Sequence, residues 1–208
     1  MLLTDAGCSN WVTTARSLAS LYDINISDNY EIIKLKVRQH FQSYIMDNLN
    51  QHIIQDKKLK TYVLFKTTFK FEPYLDVLTN FSVRSNFAKL RLSAHNLQIE
   101  TGRYDMKKIP RAERYCAYCK SLGIFVLEDE IHFLIQCPLF AKERKIMLEP
   151  IFEEFPLTRS LGDRNIFIWL LSQEIDKYVI RLGKFCNEAC NLREQNLQLH
   201  ISKVSTLI

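Results

Sequence analysis

The segment YCAYCKSLGIFVLEDEIHFLIQCP, from Tyr115 to Pro138, decides how this chain is read. Cys116, Cys119, His132 and Cys137 fall in it with the spacing C-x2-C-x12-H-x4-C. Two residues between cysteines make a tight turn that aims both sulfurs at one point, and the H-x4-C pair can close a tetrahedron from the other side. The spacing therefore predicts one structural Zn2+ on Cys116, Cys119, His132 and Cys137, held by a short β-hairpin followed by a helix. IFVL at Ile124–Leu127 supplies the β-prone return strand. Four protein ligands leave no position for an activated water, so the site is expected to hold the fold and not to catalyse.

The spacing overlaps that of the ββα zinc finger, but the core residues do not. Gly123 and Asp129 stand where such a finger carries a Phe and a Leu. The H-x4-C half equals that of the retroviral-type knuckle, whose central gap is four residues instead of twelve. A zinc deaminase would need H-x-E ahead of P-C-x-x-C, and there is no Walker loop and no G-x-S-x-G. The chain is expected not to be an enzyme.

Composition agrees with a folded domain that does not need disulfides. The 208 residues are 47% hydrophobic and 25% charged, with five glycines, five prolines and six cysteines. No apolar run reaches the ~18 residues that span a bilayer, and Asp5 interrupts MLLTDAG too early for a secretory segment. The chain is read as intracellular, nuclear or cytoplasmic, without a membrane partner; in a reducing compartment spaced cysteines are more often metal ligands than disulfides. Cys186 and Cys190, four apart on a helical stripe, are read as small buried hydrophobes, and Cys8 as a free thiol.

On either side of the segment apolar residues recur at helical intervals. Helices are expected at Trp11–Leu21, through Ile33–Ile53 with Ser27 or Asp28 as cap, at Leu59–Phe69, and at Phe81–His95. Pro138 suits the first position of a helix running to about Phe152. A last helix carries Leu171, Ile175, Tyr178, Leu182, Phe185, Ala189 and Leu192 at alternating intervals of four and three. The expected fold is mainly α, a helical bundle-like domain with an inserted small zinc knuckle. Its parts are an N-terminal helical region at 1–96, the knuckle with a basic flank at 97–153, and a C-terminal helical region at 154–208 that packs back on the core.

Charge is concentrated near the ligands. The chain carries a net +5, yet the window Arg84–Lys120 alone holds nine basic and three acidic residues. Arg103, Lys107, Lys108, Arg111, Arg114 and Lys120 flank the first cysteine pair and are the candidates for phosphate contact. Two function classes follow. A nucleic-acid binder, of RNA or DNA, would gather these cations beside exposed Tyr104, Tyr115 or Tyr118. A protein–protein interaction module, stapled by zinc, would instead present an exposed apolar groove.

Beyond spacing, the chain resembles the C-terminal region of non-LTR retrotransposon reverse transcriptases, with their zinc-binding C-x2-C…H-x4-C domain. The resemblance lies in NWVTTARSL at Asn10–Leu18, FEPYL at Phe71–Leu75, KLRLSAHNLQIETGRY at Lys89–Tyr104, IPRAERYCAYC at Ile109–Cys119 and EDEIHFLIQCP at Glu128–Pro138, with Arg144 beyond. It implies the same four zinc ligands and a role in gripping element RNA or target DNA beside an upstream reverse transcriptase domain of a parent element. The paired aspartates of a polymerase and the endonuclease of that family are not among these residues.

Overall fold

The computed structural model describes residues 11–25, 27–48, 59, 61–66 and 71–205. It is mainly helical, and the chain forms two compact units that divide between Ile53 and Ile54. In the first unit, α1 (Trp11–Leu21) and α2 (Tyr30–Asn48) are joined by a turn in which Asp23 takes a left-handed φ of 50°. The cap of α2 is Asn29, whose Oδ1 accepts from Ile32 N at 3.0 Å. Asp28 turns back instead, accepting from Asn25 N and from Lys36 Nζ at 2.9 Å each. Sequence alone favoured Ser27 or Asp28 because all three residue types cap well. The remainder of the stripe, to Ile53, lies outside the described residues.

The second unit is organised around α9 (Asp176–Ser205). Tyr178, Val179, Leu182, Phe185, Cys186 and Ala189 are buried along one face of it, against α3 (Tyr74–Val77), α4 (Phe81–Arg91) and α7 (Ala141–Glu154). Small residues permit the close approach: a Cβ on Gly183 would sit 2.9 Å from both Leu78 methyls. Each fully buried large side chain here contributes about 1.5–3 kcal/mol of transfer free energy. The apolar stripe read from the sequence is continuous only from Tyr178. Leu171 ends a separate helix, α8 (Asp163–Leu171), and Ile175 is half exposed in the link.

Two other expectations are corrected. Asn80 caps α4 by accepting from Val83 N, but the helix stops at Arg91 instead of His95, because Ser93 adopts φ 50° and Ala94 N returns to Lys89 O. The helix expected at Leu59–Phe69 is a single 3-10 turn, Tyr62–Leu64, among the described residues. What replaces helical pairing there is a side-chain anchor. Phe65 packs under Arg91, whose guanidinium carbon lies 4.4 Å from the ring centroid, with Tyr74 and Phe87 at 5.3 and 5.5 Å.

Arg91 is buried and donates to Leu171 O and, at 2.8 Å, to Glu72 Oε2. Glu72 Oε1 faces Lys66 Nζ at 2.7 Å and accepts from the Tyr62 hydroxyl. Burial alone would raise the Glu72 carboxyl, yet the Lys66 hydrogen bond and the Arg91 charge outweigh it and hold it below its ordinary range. A carboxylate lowered in the folded state adds stability above its unfolded value, about 4.3, and loses it as the pH falls further. Urea unfolding of Glu72→Gln between pH 7 and 3 should therefore show a shallower acid decline than the parent chain. Superimposable profiles would mean that the pairing adds no stability.

Candidate metal centre

The ligand residues are brought together by two short turns. Cys116 precedes α6 (Ala117–Ser121), and Lys120 N donates to its carbonyl, so Cys119 sits in the same turn of helix. The chain then reverses through Gly123 at φ +80°, with Ile124 N returning to Cys119 O. Cys116 N donates to Val126 O and Glu128 N to Arg114 O, framing a single antiparallel bridge between Tyr115 and Leu127. No β-strand forms among the described residues, so the expected hairpin reduces to this bridge. Its return arm is too short for a ladder, since the next residues already enter the turn that carries His132.

That turn solves a geometric problem in H-x4-C. At 3.6 residues per turn, position 137 would lie about 140° around a helix from position 132. The segment His132–Gln136 instead forms a π-helical turn, closed by Cys137 N donating to His132 O at 2.7 Å. The widened turn swings Cys137 back over His132. Asp129 Oδ1 accepts from His132 N at 2.8 Å and fixes the start. Pro138 then opens a 3-10 turn, Pro138–Phe140, that leads into α7, close to the helix start expected at Pro138.

The result is a buried cluster. One ligand atom from each of Cys116, Cys119, His132 and Cys137 lies within 4.8 Å of the others, so the four can hold a metal ion. Cys116 Sγ and Cys137 Sγ are 3.9 Å apart, and Cys119 Sγ is 3.4 Å from His132 Nε2. The hydrogen bond between the Cys116 and Cys137 sulfurs holds Cys116 down to about 4, while the same bond and burial push Cys137 up. Burial pushes Cys119 up to about 11. A divalent cation held by the cluster would draw the three sulfurs into the thiolate form. Cys186 is fully buried in the α9 core and Cys190 packs beside it, neither joining the cluster; Cys8 lies outside the described residues.

The three consecutive acids Glu128, Asp129 and Glu130 take separate partners. Glu128 is 4% exposed, and its two oxygens accept from Arg193 Nε and Nη2 at 2.7 Å each, with Gln98 N also at 2.7 Å on Oε2. Glu130 Oε1 accepts from Thr61 and Ser93 hydroxyls and lies 3.1 Å from His95 Nε2. Only Asp129 caps. Arg144 donates to Leu134 O and Cys137 O, clamping the π turn from α7. Nothing in sequence marks Arg193 as a partner, since it stands 65 positions from Glu128.

The six candidate cations divide. Arg114 donates to Ile109 O at 3.0 Å and Ile99 O at 2.7 Å, so its guanidinium clamps the base of the basic loop. A Cβ on Gly102 would meet the Arg114 stem at 2.8 Å, which explains the glycine there. Arg103 pairs with Glu100 at 3.2 Å and is half-buried. Lys107, Lys108, Arg111 and Lys120 are exposed, with no ion-pair partner among the described residues. Tyr104 is 75% exposed, whereas Tyr115 and Tyr118 are half-buried. Among the described helices none is long and apolar enough to cross a membrane. Comparison with family models, curated proteins and solved structures finds no match to this chain.

Removing one partner of a buried ion pair strands the other charge, at about 3–5 kcal/mol. Arg193→Met should cost that much in urea unfolding, and Glu128→Met combined with Arg193→Met should recover part of it. A double variant no more stable than the single one would show that the stranded carboxylate is not the source of the loss.

Proposed function

We propose that this chain is a zinc-stapled nucleic-acid-binding module, in which the metal cluster holds a cationic surface against a phosphate backbone. The observation that carries the reading is the placement of Lys107, Lys108, Arg111 and Lys120, exposed and without ion-pair partners among the described residues, Lys120 in the turn bonded to Cys116 and the other three on the loop whose base Arg114 clamps. Cations that are held but not neutralised have not yet lost their mobility to an internal partner, and an outside phosphate can take them.

Zinc suits the cluster. A tetrahedron with metal–sulfur bonds of about 2.3 Å has edges of about 3.8 Å, close to the 3.9 Å between Cys116 and Cys137. Three sulfurs and an imidazole form a donor set that favours Zn2+ over harder cations. When bound, the ion supplies charge compensation and cross-linking of the two turns. The residues with outward charge then do the binding, without catalysis. This reading agrees with the resemblance to the C-terminal region of non-LTR retrotransposon reverse transcriptases, where such a module would hold element RNA or target DNA beside an upstream polymerase domain inside the cell.

Elemental analysis should find one zinc per chain, lost in Cys119→Ser and kept in Cys186→Ser. A folded chain that takes up no zinc would overturn the assignment of the ion.

Binding should depend steeply on salt. Replacing Lys107, Lys108, Arg111 and Lys120 together by alanine should reduce the slope of log K against log salt by about 3–4 for duplex DNA, and by about 2–3 for a single strand. The changed residues are all exposed, so folding and metal content should not alter. An unaltered slope in that variant would argue for a surface that only keeps the protein in solution.

A further inference from the structure

The turn that links the two halves of the metal cluster carries an oddity that charge does not explain. Leu122, Ile124 and Phe125 are 54%, 52% and 64% exposed, three apolar side chains in four consecutive residues. Their backbone is not free to collapse inward. Leu122 N and Ile124 N both donate to Cys119 O, Gly123 N donates to Lys120 O, and Cys116 N donates to Val126 O, so the turn is tied to two of the ligand residues. A Cβ on Gly123 would meet nothing within 4 Å, which marks the tip as open space.

We infer that this tip, Leu122–Phe125, is a stacking surface for unpaired bases, so that the preferred ligand of the module is single-stranded nucleic acid. The inference rests on the nucleic-acid reading and narrows it to one class of strand. Phe125 is braced edge-on by Tyr115, with ring centroids 5.5 Å apart and planes at 79°, an arrangement that holds the exposed ring in a fixed attitude. A ring held in advance loses little freedom when a base stacks on it. Lys120 is exposed at the entry to the same turn, so a cation accompanies the apolar surface. In a duplex the faces of bases are covered by their neighbours and only edges and backbone are presented. An apolar, aromatic tip has a complement only where bases are unstacked. A protein partner is the poorer fit, because three side chains supply far less than the ~800 Å² per side of a stable protein interface.

The experiment uses the full zinc-loaded chain and fluorescently labelled probes of about 20 nucleotides, namely oligo(U), oligo(dT) and a blunt DNA duplex, in one buffer. The parent chain should bind both single strands more tightly than the duplex. Phe125→Ala should weaken single-strand binding about tenfold and leave duplex binding within a factor of about two, with the salt slope kept, because no phosphate contact is removed. Phe125→Tyr should restore it. Ile124→Ser, at a second exposed position, should weaken single-strand binding in the same sense. Equal losses on strand and duplex, or none on either, would overturn the stacking surface and leave the nucleic-acid reading standing, with the tip then assigned to a protein contact. Failure of every probe to bind would instead remove the nucleic-acid reading itself.

Discussion

The carboxylate of Glu128 is the point on which the second unit converges. It receives two nitrogens of Arg193 from α9 and the amide of Gln98 from the start of α5 (Gln98–Thr101), all at 2.7 Å. Its own amide donates to Arg114 O and its carbonyl accepts from Ile99 N. One residue thus joins the central helix, the segment entering the basic loop and the segment leaving the knuckle. An ion pair this deep gains little net energy over an apolar pair of the same shape, since desolvation offsets the attraction. What it supplies is register: a bidentate pair with an added amide is satisfied in one geometry, and that geometry sets the first residue of the approach to His132.

From there the constraint passes to the metal ligands. Asp129 caps the turn, the turn widens to the π form, and Cys137 is carried over His132, with Arg144 on α7 holding the carbonyls of Leu134 and Cys137. The cluster is therefore supported on both sides by arginines that belong to the helices of the unit, Arg193 on α9 and Arg144 on α7. Bound metal and helical core should reinforce each other: ordering the turns for the ion uses the same contacts that seat α7 and α9.

Much of this was legible before the structure. Ligand spacing named the four clustered residues, because a metal site imposes its own short-range pattern on a sequence. Helical periodicity found α1 to the residue and most of α2, α4, α7 and α9. It failed where another interaction replaces periodic burial. At Tyr62–Leu64 the chain is anchored through Phe65 against Arg91 instead of through a helical face, and at Leu171 and Ile175 a stripe that looked continuous spans two helices. The π turn left no periodic trace, since it is five residues long and its cause is the length of the gap between two ligands. Tertiary partners such as Arg193 leave none either, because a bidentate pair across 65 positions has no local signature.

The number of positive charges in the sequence overstates how many face outward, and the reason is chemical. Of the nine basic residues in the Arg84–Lys120 window, Arg84, Arg91, Arg103 and Arg114 all turn to the fold: Arg84 donates to Leu78 O, Arg91 to Leu171 O and Glu72, Arg114 to two loop carbonyls, and Arg103 pairs with Glu100. Every lysine in the window stays exposed, and only Arg111 among the arginines joins them. A guanidinium is weakly hydrated and offers five donors in a rigid fork, which suits carbonyls and carboxylates at a loop base; an ammonium is a compact, strongly hydrated charge that keeps to water. The positive part of the surface field around the knuckle accordingly comes from Lys107, Lys108, Lys120 and Arg111, with Lys89 farther along α4 and exposed Asp105 and Glu113 among them. The arginines act on that field indirectly. By closing the base of the basic loop, Arg114 limits where the lysines carried on it can go, so a cation buried in the fold fixes the position of those that face outward.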